Sequence, residues 1–210
     1  MDGHPDRSLS FPQVLDQTGV EEHLQLGSRI GFCAYHGGNL ERRTEIIAAE
    51  AARLSGASYY AVVQPDGMRY HVSSTKVDPS ASERFSTFMD HCDVIITVHG
   101  YGRRGHFTSL LCGGGNRGLA THVGDHLRST LPAYRTIDDP ERIPSGLRGL
   151  HSRNPCNLPR NGGMQLELPP RVRGLSPLAR HWPGPRGRFP HVSLLIDALA
   201  TAAATWPPAR

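Results

Sequence analysis

The chain has 210 residues, 38% of them hydrophobic and 20% charged, with a formal charge of +4. That length suits one domain with a substantial buried core, and the composition excludes a disordered or fibrous chain. No apolar run reaches the roughly 20 residues of a membrane-spanning helix, and residues 1–10 lack the apolar segment of a secretory signal.

Short apolar runs alternate with amphipathic ones, the pattern of an α/β fold whose helices cover a sheet. Residues 30–35 predict a strand ending at His36-Gly37-Gly38. Residues 44–54 predict a helix with Thr44 as its N-cap, Glu45 suiting the helix dipole and Gly56 beyond its end. Residues 57–63 predict a strand closed by Pro65-Asp66-Gly67, and 70–72 a short one. Residues 80–92 predict a helix with Phe85, Phe88 and Met89 on one face. Asp93 to Val98 is a nearly continuous β-branched run, as in a central strand covered on both faces, and it stops at His99-Gly100. Strands at 107–112 and 164–168, with helices at 119–131 and 192–205, complete the order.

Between them lies an Arg- and Pro-rich loop, 169–190. Five arginines (Arg171, Arg173, Arg180, Arg186, Arg188) fall between Leu168 and Ile196 with no acidic residue. Elsewhere 18 basic residues (23 less five) meet 19 acidic ones, so the basicity is local. That favours an anion-facing loop over a nucleic-acid-binding body. The four cysteines are scattered without a C-x-x-C pair, which reads as a reduced, cytoplasmic protein.

Among the 12 histidines, position has to select. His36 and His99 each end a predicted strand, where open α/β sheets collect their ligands. Glu41 stands five residues after His36 in the same glycine-rich turn. A lone His-Gly at a strand end is usually a turn. Two of them with a nearby carboxylate make a His-Glu-His candidate for zinc, with a fourth position left for water. His122 and His126 stand at i, i+4 but without the H-E-x-x-H pattern, and read as surface residues. His106 reads as either a pocket wall or a loop residue.

The segments His36-Gly-Gly-Asn-Leu-Glu41-Arg-Arg-Thr44-Glu45, Tyr70-His71-Val-Ser73-Ser74-Thr75, Val98-His99-Gly100 and Gly163-Met-Gln165-Leu-Glu167-Leu168 together resemble the poly-γ-glutamate hydrolase family. The resemblance runs over about residues 28–173. It implies an open mixed α/β sheet flanked by helices, zinc-carboxypeptidase-like, in a single domain with its core at about 28–205. It also implies one zinc per chain on His36, Glu41 and His99, with Glu45 as the rival carboxylate. Glu167 resembles the catalytic glutamate of carboxypeptidase-like enzymes, and strand alternation places it on the face opposite Leu166 and Leu168. Arg153 is the candidate for steadying the oxyanion or a substrate carboxylate; His71, Ser73, Asn154 and Arg171 are candidates for binding substrate. An exposed loop arginine is the plainer account of Arg153, and a short β-segment with ordinary hydrogen bonds that of His71 and Ser73.

The implied activity is hydrolysis of an amide bond in an acidic small molecule, peptide or polymer, such as a γ-glutamyl peptide or poly-γ-glutamate. An N-acyl amino acid, an aminoacyl-tRNA and a non-catalytic binding role are the alternatives. Arg171, Arg173 and Arg180 are expected to flank the site and recruit the acidic substrate.

Overall fold

A computed structural model describes residues 9–175 and 190–207. Seven strands form one mixed sheet in the order β1-β3-β2-β4-β7-β5-β6. They are β1 (Glu21–Gln25), β2 (Ser28–Gly38), β3 (Ala57–Gln64), β4 (Val94–Gly100), β5 (Ser109–Cys112), β6 (Arg135–Ile137) and β7 (Gly163–Leu168). β2, β3, β4 and β7 run parallel, β1 closes one edge antiparallel to β3, and β5 turns antiparallel against β7.

Alternation in the strands builds apolar packing on both faces of the sheet. Phe32, Ala34, Ile96, Val98, Leu166 and Leu168 face one layer made by α2 (Thr44–Ser55), α4 (Arg117–Thr130) and α5 (Pro190–Thr205). Cys33, Tyr35 and Ile95 face the other side, where α1 (Phe11–Leu15) and α3 (Glu83–His91) pack with Phe11, Phe85 and Phe88. The Tyr60 and Phe85 rings stack there at 4.2 Å. Burial of this order contributes about 1.5–3 kcal/mol for each large apolar side chain. Among the described residues, no helix is long and apolar enough to cross a membrane.

The open mixed sheet and its covering helices are as the sequence implies, with local differences. Arg43, with φ 72°, is the N-cap of α2, and Thr44 is its first helical residue. The Thr44 hydroxyl reaches back to Glu41 O at 2.8 Å. α3 starts at Glu83, after a short 3₁₀ turn at Pro79–Ala81, because Ser82 rather than Ser80 accepts the capping bond. Residues 70–72 do not join the sheet. Their backbone bonds go to side chains: Gln64 Oε1 accepts from Tyr70 N, Gln64 Nε2 donates to Tyr70 O, and the His36 ring takes Val72 O. α1, β1 and β6 have no counterpart in the sequence reading, and α1 and β1 carry the fold upstream of residue 28.

Candidate active site

The parallel strands β2, β4 and β7 lie side by side and end together. Their register pairs His99 with Glu167 directly. Both residues stand on the sheet face opposite α2, α4 and α5, as the alternation of Leu166 and Leu168 requires. Even-numbered side chains of β2 point the other way, but the pairing of β2 with β3 slips between Ala34 and Gly37. Such an irregularity re-aims a side chain. His36 accordingly meets the rings of Tyr35, at 4.8 Å, and His99, at 5.2 Å. β2 then stops at Gly38, whose φ is +71° and which lies so close to Gln64 that a Cβ would fall 2.1 Å from its carbonyl oxygen.

The chain folds back at once. Glu41 N donates to His36 O, which brings the Glu41 carboxylate between the two histidines. Oε1 lies 3.0 Å from His36 Nδ1, and Oε2 lies 3.2 Å from His99 Nδ1 and accepts from Gly100 N at 2.8 Å. The outer ring nitrogens are committed elsewhere: His36 Nε2 to Val72 O at 2.8 Å, His99 Nε2 to the Tyr35 hydroxyl at 2.9 Å. A carbonyl only accepts, so His36 Nε2 donates to Val72 O, which leaves Nδ1 turned toward Glu41. The three candidate ligand atoms lie within 4.8 Å of one another. Two inward imidazole nitrogens and a partly buried carboxylate, each ring held from behind, fit a zinc site. Glu45 is engaged differently, since its Oε2 accepts from Gly38 N at 3.0 Å and pins the turn.

Charge follows geometry. Burial pushes Glu41 upward, but the two histidines and their hydrogen bonds outweigh it and hold the carboxyl well below the usual carboxylate range. Burial also disfavours the charged ring of His99, yet Glu41 raises it above its ordinary value. Glu167, beside them and only 4% exposed, is pushed up to about 8 by burial. The two carboxyl groups are thereby driven apart in their hold on a proton.

A cleft of about 760 Å³ opens over this group, lined by His36, Glu41, His71, Ser73, His99, Tyr101, Arg148, Asn154, Gln165 and Glu167. Over residues 13–175 the chain matches the model of a known family, described as poly-gamma-glutamate hydrolase. The chain belongs to the poly-gamma-glutamate hydrolase family. The structure of a bacteriophage poly-gamma-glutamate hydrolase superposes with a TM-score of 0.73 at 20% identity, covering 91% of this chain and 92% of that one. The zinc-free apo form of YNDL gives 0.69 at 17% identity, covering 89% and 90%. A more distant overlay, 0.44 at 10% identity over 91% of this chain and 65% of the other, is with a metallo-carboxypeptidase from Burkholderia cenocepacia. No curated protein matches the chain in sequence.

In this family member the other expected site residues are placed unequally. The His71 ring stands 5.1 Å from that of His36, and Ser73 lines the same cleft. Asn154 is buried with its amide engaged: Oδ1 accepts from Cys156 N, so Nδ2 faces Gln165 Oε1 at 2.8 Å. Gln165 Nε2 in turn donates to Glu167 Oε1 at 2.9 Å. Asn154 thus orients Glu167 through Gln165. Arg153 is exposed and borders an adjoining depression instead of the cleft itself. Arg171 lies 5.9 Å over the Tyr134 ring, away from the cleft, and Arg173 is buried. Neither of these two loop arginines lines the cleft, so the expected recruiting role gains no support at either position; Arg180 lies outside the described residues. His122 and His126 tie α4 to α5 through Ala202 O and the Thr205 hydroxyl.

Sequence reasoning missed Tyr35, Gln165 and Arg148 as parts of the site. Tyr35 has the sharpest consequence. With His99 Nδ1 turned to a cation, Nε2–H donates to the Tyr35 oxygen. Tyr35→Phe should weaken zinc binding roughly tenfold, the usual cost of losing such support. A chelator competition titration measures it, and an unchanged affinity would show that the hydroxyl does not hold the ring.

Proposed function

We propose that this protein is a zinc-dependent hydrolase that cleaves an amide bond in an acidic substrate, a γ-glutamyl peptide or poly-γ-glutamate. One observation supports it above the others: Glu167 is paired with His99 across β4 and β7, inside the cleft that holds His36 and Glu41. His36, Glu41 and His99 would hold one zinc ion per chain. Zinc bound there supplies Lewis acidity for the scissile carbonyl and makes a water easier to deprotonate.

The chain's own residues do the rest. Gln165 fixes one oxygen of Glu167, leaving the other to take a proton from water as it attacks the amide carbon. Glu167 then delivers that proton to the leaving nitrogen. Arg148 lines the cleft with its Nε on Ile143 O and its Nη1 3.5 Å from the exposed Glu141, a loose pairing that a substrate carboxylate could replace.

The decisive experiment combines metal analysis with a substrate comparison. Purified protein should carry about one zinc per chain and release glutamate or shortened oligomers from γ-linked oligoglutamate. Zinc-loaded protein that cleaves N-acyl amino acids and leaves γ-glutamyl bonds intact would replace the proposed substrate.

The adjoining depression supports a substrate longer than one residue. It shares Thr75 with the cleft and brings Lys76 and Arg153 to its rim, with Asp78 nearby but turned to Ser80 N. Exposed ion pairs contribute roughly 0.2–1 kcal/mol each. Replacing Lys76 and Arg153 together by Ala should therefore raise KM about three- to tenfold for γ-linked oligomers, with little change for a γ-glutamyl dipeptide. An unchanged KM for both lengths would place the two cations outside the binding path.

A further inference from the structure

Arg173 is a cation buried to 5% exposure, on the segment that leaves β7. A guanidinium stays charged in a protein, so burying one is unfavourable unless its donors and its charge are both answered. Backbone carbonyls answer the donors. Nε donates to Leu168 O at 3.2 Å and Nη1 to Arg42 O at 2.7 Å, while Arg43 Nη1 donates to the carbonyl of Arg173 itself at 3.3 Å. The charges that act on it most are those of Glu41, Glu167 and Glu45.

Two backbone features are shaped around this side chain. A Cβ on Gly100 would lie 2.6 Å from Arg173 Cζ, so the guanidinium occupies the space that glycine leaves. Gly100 is also the residue whose N–H holds Glu41 Oε2. Arg43, following the carbonyl that takes Nη1, sits at φ 72°; it is the non-glycine residue with positive φ among the described ones. A strained residue of this kind persists where its surroundings over-determine it. Here those surroundings include the two bonds that Arg42 and Arg43 make with Arg173.

We propose that Arg173 is a positioning residue that ties the Glu41 turn, the end of β4 at Gly100 and the end of β7 at Leu168 into one frame, with a fixed positive charge behind Glu41 and Glu167. It touches no substrate. It acts by keeping the carboxylate ligand and the proton carrier in register with each other. The kinetic part of this proposal rests on the hydrolase reading above, whereas the metal part does not.

The test compares Arg173→Gln and Arg173→Lys in the full chain. Arg173→Gln should weaken zinc binding by about 10–100-fold, the range seen when groups behind metal ligands are lost. It should lower kcat on γ-linked oligoglutamate by a similar factor and leave KM within about threefold. Arg173→Lys restores the charge but not the planar pair of donors, so it should recover more of the zinc affinity than of kcat. A folded Arg173→Gln protein with wild-type zinc affinity and kcat would overturn the proposal. So would a rise in KM alone, which marks a substrate-binding group, or failure of both variants to fold with zinc present, which marks a residue of the fold only. If wild type binds zinc yet cleaves no γ-glutamyl bond, the proposed substrate fails and the zinc affinities still decide for or against Arg173.

Discussion

Glu167→Gln should reduce kcat by about 10³-fold or more, with one zinc still bound and KM little changed. Loss of a positioned acid–base group accounts for roughly 10²–10⁴ in rate, and in the proposed mechanism one carboxyl serves both proton transfers. The substitution is nearly isosteric, and the carbonyl oxygen of the new amide can still accept from Gln165 Nε2 as Glu167 Oε1 does at 2.9 Å. A neutral side chain suits a position only 4% exposed, so the variant should fold at least as stably as wild type. Stopped and steady-state assays with zinc content measured on the same sample check it. A variant retaining more than a tenth of the wild-type kcat would remove Glu167 from the proton path.

The residues behind this prediction were unequally legible in the sequence. His36 and His99 could be found because a β-branched or apolar run ending in His-Gly is a local signal, and Glu167 because strand parity sets it against Leu166 and Leu168. Glu41 and Glu45 could not be separated by spacing, since both follow His36 within a turn and a helix start. The fold separates them by giving Gly38 N to Glu45 and both imidazoles to Glu41. What sequence could not supply is adjacency across the sheet. The order β2-β4-β7 brings Tyr35 to His99 across 64 positions, and Arg173 to Arg42 across 131. No local pattern carries that. Arg153 shows the reverse case: its neighbour Asn154 turns into the protein to meet Gln165, while Arg153 turns out toward the adjoining depression. The edge strand β1 was missed for a plainer reason, because Glu21–Gln25 is polar and half exposed and so has no apolar face to announce it.

Removing the metal should abolish turnover and leave a folded protein whose rescue by zinc grows steadily from pH 6 to pH 8. The sign comes from three groups. His99 is raised above its ordinary 6.5 by Glu41 against the cost of burial. Its protonated ring therefore stabilises the metal-free fold below pH 6.5, and that contribution is lost as pH rises through the folded-state pKa. Glu167 has the same sense: pushed up from 4.5 to about 8 by burial, it makes the metal-free fold progressively less stable as pH climbs between those values. Glu41 runs the opposite way. Held below its usual value, it stabilises the fold above pH 4.5, and that contribution fades only in acid. Metal-free protein should thus be most stable in mildly acidic buffer and weaken toward pH 8. Zinc must displace the proton of His99, so its affinity rises over the same interval. At a free zinc concentration of about 100 times Kd the added stability is about 2.7 kcal/mol, and the increment should be largest at pH 8. Thermal melts of chelated and zinc-loaded protein across this range measure it directly. An increment that is flat or shrinks with pH would mean that His99 does not bind zinc through the nitrogen facing Glu41.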